Sequence, residues 1–148
     1  MNETPENALK IAENILQRSG AALMSGDFSA YQQLFLLPQD IETYDGMRCI
    51  RNSTDLRAIF DQLREHFQKL GVTDYVRTSI AAEFVAPDII STSYETRIMN
   101  GNLLLQPAYP VYSTLLRVDG EWKVNGGVYA MVEDTDLIRA LHAEPPSD

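Results

Sequence analysis

The chain changes its period at Gly71, and that switch limits it to folds in which helices precede a long sheet. Before the glycine, apolar residues recur every three or four positions. Thr4 and Pro5 form a cap and first-turn pair, and they predict a helix from about Pro5 to Ser25 with Ala8, Ile11, Ala12, Ile15, Ala22 and Leu23 on one face. Gly26 supplies a left-handed exit. Asp27 then caps a second short helix, whose Phe28, Tyr31, Leu34 and Phe35 form an aromatic inner face until Pro38 stops it. Ile41 to Arg51 reads as an extended segment broken at Asp45-Gly46, a hairpin-turn dipeptide. Asn52 or Ser53 caps a third helix carrying Leu56, Ile59, Phe60, Leu63, Phe67 and Leu70 on one stripe, and Gly71 ends it.

After Gly71, four strands are predicted: Asp74 to Val85, Ile89 to Met99, Ala108 to Val118 and Glu121 to Met131. In meander order they form an antiparallel sheet, and the fold class is α+β, a curved sheet wrapped around N-terminal helices. Alternation in the second strand separates Ile90, Thr92, Tyr94, Thr96 and Ile98 from Ser91, Ser93, Glu95 and Arg97. The first set reads as a concave face, apolar with a few hydroxyls. On the third strand the set taken with it is Pro110, Tyr112, Thr114, Leu116 and Val118. Tyr94, Thr96, Tyr112, Thr114 and Leu116 would then meet Tyr31, Phe35 and Phe60 around a small-molecule pocket. The polar set suits a homodimer interface with a wet centre.

At 148 residues, with 45% hydrophobic and 22% charged, the chain fits one domain, its core spanning about 5–132 and a tail following from 133. A net charge of -9 without any basic cluster argues against nucleic acid and anionic membrane as partners. No apolar run approaches the roughly 18 residues of a membrane span, and the acidic start has no basic leader region, so a cytoplasmic protein is expected. Cys49 is alone, which excludes an internal disulfide and a cysteine zinc framework; it reads as a small half-buried apolar residue. No His/Asp/Glu cluster has metal spacing, and no cofactor motif occurs. Asn125-Gly126-Gly127 joins strand to strand, so it reads as a bend that curves the sheet.

Two local patterns resemble the nuclear transport factor 2-like superfamily, which includes ketosteroid isomerases and SnoaL-like cyclases. One is the helical entry from Gln17 to Phe35. The other is Leu115-Leu116-Arg117-Val118-Asp119-Gly120-Glu121-Trp122-Lys123-Val124 in the last hairpin. With the element order, the resemblance covers about residues 5–132. It implies a cone with a ligand at its mouth. The isomerases' tyrosine, aspartate base and protonated aspartate fall near Ser19, Thr43 and Thr114, none of which can replace them, and this argues against that mechanism. Asp40, Glu42 or Asp45 lies close enough in sequence to serve as a base, although Asp45 beside Gly46 is also a natural turn residue and Asp40 a natural strand-entry residue. The dehydratases of this fold need a cavity histidine, and His66 reads as a partly exposed group on helix three.

Three functions follow. The first is a binder of a small, largely apolar molecule. The second is an acid/base isomerase, cyclase or hydrolase with Asp40, Glu42 or Asp45 as base and Tyr94 or Tyr112 as hydrogen-bond donor. The third is a dimeric protein-interaction module that fills its own cavity.

Overall fold

The computed structural model describes residues 3–131 and 136–146. Helix α1 spans Pro5–Ser25, with the Thr4 hydroxyl accepting from the Asn7 amide at 3.1 Å and Gly26 leaving in the left-handed region at φ 83°. Helix α2 is only Phe28–Gln32, shorter than its apolar pattern predicts. Leu34 and Leu36 leave the helix to bond Val124, whose amide donates to the Leu34 carbonyl at 2.7 Å and whose carbonyl accepts from Leu36 at 2.9 Å. Pairing with a distant strand overrides local propensity there. Helix α3, Ser53–Leu70, is capped by Asn52 and ended by Gly71, and it buries Leu56, Ile59, Phe60, Leu63 and Phe67.

Strands β1 (Gln39–Thr43) and β2 (Gly46–Ile50) form a hairpin, and β3 (Asp74–Ala86), β4 (Ile89–Asn100), β6 (Tyr109–Val118) and β7 (Glu121–Tyr129) form the predicted meander. A two-residue β5, Leu103–Leu104, adds to β4, and helix α4, Asp136–Leu141, packs on α3. The sheet order is β2-β1-β7-β6-β4-β3. β1 joins the meander by pairing parallel to β7.

Register decides which residues face the helices. Tyr94 sits opposite Val111 and Thr96 opposite Tyr109, so even positions on β4 share a face with odd positions on β6. The expectation for β6 is therefore inverted: Tyr109, Val111, Ser113 and Leu115 point inward, and Tyr112, Thr114 and Leu116 point away. A one-residue change of register moves a whole set across the sheet, and the chain between Asn100 and Tyr109, with β5 in it, is where that residue is gained.

Register shifts at three places complete the curvature, one of them between Phe84 and Ala86 near the end of β3. In β3 the register with β4 shifts between Ser79 and Ala81, leaving Ile80 exposed; Tyr75, Arg77 and Ser79 face inward before it, Ala82 and Phe84 after it. In β7 the extra residue falls at Asn125-Gly126, and Gly126 adopts φ 90°. A Cβ on Gly126 would lie 2.7 Å from the Asp40 carbonyl, so only glycine lets β1 approach. The buried Gln39 amide bridges the bulge, donating to Val124 O at 2.9 Å and accepting from Gly126 N at 3.0 Å.

Candidate functional site

A mostly enclosed cavity of about 50 Å³ lies between α1, the inner face of the sheet and α4. Its apolar wall includes Ala12, Ile15, Leu63, Leu115, Leu137 and Leu141. Its polar wall is dominated by phenols: Tyr31, Tyr75, Tyr94, Tyr109 and Tyr129 all reach it. Tyr31 stands in an aromatic stack, 4.6 Å from Phe35 and 4.9 Å from Phe60 between ring centroids. Burial pushes the Tyr94 phenol up to about 12, with Arg77 nearby restraining the rise. Burial likewise raises Tyr31, Tyr109 and Tyr129, so these hydroxyls stay protonated and able to donate.

Among the described residues, the only charged side chain lining this cavity is Arg77. Its Nη2 donates to the Leu16 carbonyl at 2.5 Å and to Ser19 Oγ at 2.8 Å, and the guanidinium lies 4.5 Å from the Tyr75 ring centre. Gly20 makes that approach to α1 possible: a Cβ there would stand 2.8 Å from Nη2. No carboxylate or imidazole of the described chain lines the cavity.

The predicted pocket residues divide between the two faces. Tyr31, Phe35 and Tyr94 line the cavity, while Phe60 and Thr96 are buried in the core around it. Tyr112 is 53% exposed on the outer face, and Thr114 lies beside it with Leu116 further along the same face. Asp40 and Glu42 are on that outer face as well, because Gln39, Ile41 and Thr43 take the inward positions of β1. Asp45 is exposed in the β1–β2 turn. Asp40 and Glu42 thus meet Tyr112 and Thr114 in an open shallow groove, without the enclosure that acid/base catalysis exploits. Cys49 is exposed rather than half-buried, since it lies opposite Asp40 on the same outward row. His66 is half-buried beside Phe67, and its Nε2 has no partner among the described residues. Glu95 and Arg97 pair at 3.0 Å on the outer face.

No protein-family model and no curated protein matches the sequence. Solved structures do match the fold. Aln2 from a Streptomyces species superposes with a TM-score of 0.68 at 18% identity, covering 86% of this chain and 91% of that one. A protein of unknown function with a cystatin-like fold from Nostoc punctiforme gives 0.66 at 15% identity, covering 88% and 94%. A putative dehydratase of the NTF2-like family from Streptomyces avermitilis gives 0.64 at 12% identity, covering 88% and 100%.

The chain has the nuclear transport factor 2-like, cystatin-like fold. Within this nuclear transport factor 2-like sheet, the positions matched to the isomerase residues do not form a site. Ser19 faces the cavity, but its hydroxyl is engaged by Arg77 and by the Leu16 carbonyl. Thr43 Oγ1 lies 2.6 Å from His142 Nε2 at the foot of α4, and Thr114 points away. The tail is held as well: Arg48 donates to the Ala143 carbonyl at 2.7 Å and pairs with Glu144 at 3.6 Å. Ser147 and Asp148 lie outside the described residues.

Arg77, Tyr75, Tyr109 and Tyr129 are the site residues that the sequence reading passes over. Tyr75 and Arg77 share an odd parity that the Ile80 bulge interrupts, and Tyr109 is hidden by the inverted register for β6. The usable signal is a lone arginine between aromatic and β-branched residues on a strand.

Proposed function

We propose that this protein binds a small organic molecule in the tyrosine-lined cavity behind its sheet, in a cytoplasmic setting, and that Asp40, Glu42 and Asp45 take no part as bases. The observation that carries this reading is the cavity's lining: protonated phenols and one guanidinium on one side, aliphatic residues on the other, and no described carboxylate. Such a lining can orient a polar group by donating hydrogen bonds but has no base with which to remove a proton. The cavity holds only a few waters, at about 10–15 Å³ each, so a ligand must be small or must displace Leu137 and Leu141 of the six-residue α4.

The test is a titration with isobutyramide, followed through the ring signals of labelled tyrosines. Saturable shifts at Tyr94 and Tyr129, abolished when Ala12→Leu fills the cavity, are expected. Absence of any saturable shift would replace the binder by a protein-interaction module packed with its own side chains.

Assembly as a homodimer through the outer face belongs to the same proposal. Met47, Val128 and Tyr112 are exposed by 62%, 39% and 53%. They lie in one row across the sheet, through the pairs Met47–Glu42, Glu42–Val128 and Val128–Tyr112. An apolar row interrupted by Glu42 and continued by Ser93 opposite Tyr112 has the mixed character of a wet interface.

A further inference from the structure

We infer that Arg77 is a recognition residue for a carboxylate, so that the molecule held behind the sheet is a small monocarboxylic acid with a short aliphatic body. The inference rests on the cavity reading above and adds the charge of the ligand to it. The chain's other enclosed or stacked guanidiniums are accounted for: Arg48 pairs with Glu144, Arg57 with Asp61, Arg117 with Asp88, and Arg64 caps the Leu23 and Met24 carbonyls at the end of α1. Arg77 has no carboxylate partner among the described residues. Nη2 spends its hydrogen bonds on α1, which leaves Nε and Nη1 without an acceptor in hydrogen-bond geometry among those residues. Arg77 is half-buried and has lost part of its water, and two hydrogen bonds to neutral oxygens supply only part of the compensation, so a carboxylate would add to it.

The arrangement around the guanidinium gives the missing partner its shape. The Tyr75 ring lies against it at 4.5 Å, and the contact with α1 fixes its reach, so the free edge is held in place before anything binds. A carboxylate can accept two parallel N–H bonds from such an edge. Tyr94, near the guanidinium and still protonated, can donate a third. The apolar end of the ligand would meet Ile15, Leu63 and Leu115. One guanidinium matches one negative charge, which favours a carboxylate over a phosphate dianion. The side of Arg77 that faces the groove between α1 and β3 is flanked by Glu13 and Asp74, so an anion is repelled there and accepted only from within.

Isobutyrate and isobutyramide have the same shape and differ in charge, and titrating both into the full chain at pH 7 by tyrosine ring shifts separates the two claims. Wild-type protein is expected to prefer isobutyrate by about tenfold or more, as charge-assisted bidentate bonds are stronger than neutral ones. Arg77→Met should erase that preference, and Arg77→Lys should restore part of it. Should Arg77→Met fail to fold, Gly20→Ala, which pushes the guanidinium off its perch, should reduce the preference in its place. Equal affinities in the wild type, or a preference that survives loss of the guanidinium, would overturn the carboxylate inference alone. Binding of neither molecule would overturn it together with the cavity reading.

Discussion

Gly20 shows how one residue's role depends on what approaches it. Replacing a mid-helix glycine with alanine ordinarily stabilises a helix by about 1 kcal/mol. Here the new methyl would stand 2.8 Å from Arg77 Nη2, and the guanidinium would have to give up the Leu16 carbonyl and Ser19. Hydrogen bonds to a charged group are worth about 1.5–3 kcal/mol, so Gly20→Ala is expected to lower stability on balance. Chemical denaturation measures it, and a stabilised variant would mean that Arg77 contributes nothing to the α1–β3 contact. At this scale the sequence was only partly legible. Tyr31, Phe35 and Tyr94 could be placed inside by helical spacing and strand alternation, but Arg77 could not, because a charged residue on an interrupted strand looks solvated until the bulge is known.

Elements were more legible where caps and stops are local. Thr4, Asn52, Gly26 and Gly71 set the ends of α1 and α3 within their own neighbourhoods, and the structure keeps those ends. α2 and the face of β6 depended on distant partners, namely Val124 for the first and the β4 pairing for the second. The β7 bulge is another element set at long range. Gly126→Ala would combine a left-handed φ with a methyl 2.7 Å from the Asp40 carbonyl, and a loss of roughly 1–3 kcal/mol is expected in urea unfolding. The α3–α4 contact carries a pH response. Burial holds His66 below its ordinary value of 6.5, with the Asp136 carboxylate opposing the shift and Lys69 adding to it. A depressed histidine is neutral in the fold and charged more readily in the unfolded chain. Its contribution is therefore intact above about pH 6.5 and declines as pH falls through the folded value. His66→Leu is expected to flatten stability against pH in that window; an unchanged slope would place the titration elsewhere.

At the level of the whole molecule, the row of Met47, Val128 and Tyr112 predicts a dimer at micromolar concentration by light scattering, with Tyr112→Glu shifting it toward monomer. A wild-type monomer would remove the outer face as an interface. The α+β architecture was readable because the change of period at Gly71 is a property of the entire chain, whereas the parallel seating of β1 on β7 depends on a contact between its two ends and leaves no periodic trace. The enclosure of Arg77 has a consequence in time. The chain as a whole carries a net charge of -9, and the one cation that lines the cavity among the described residues sits beneath that acidic surface. A carboxylate bound for Arg77 must first cross a field that repels it, and the screening distance of that field shrinks to about 10 Å at 0.1 M salt. Added salt should therefore speed capture, the reverse of the slowing seen when unlike charges steer an encounter. The cation selects the guest once it has arrived, and the surface sets how often one arrives.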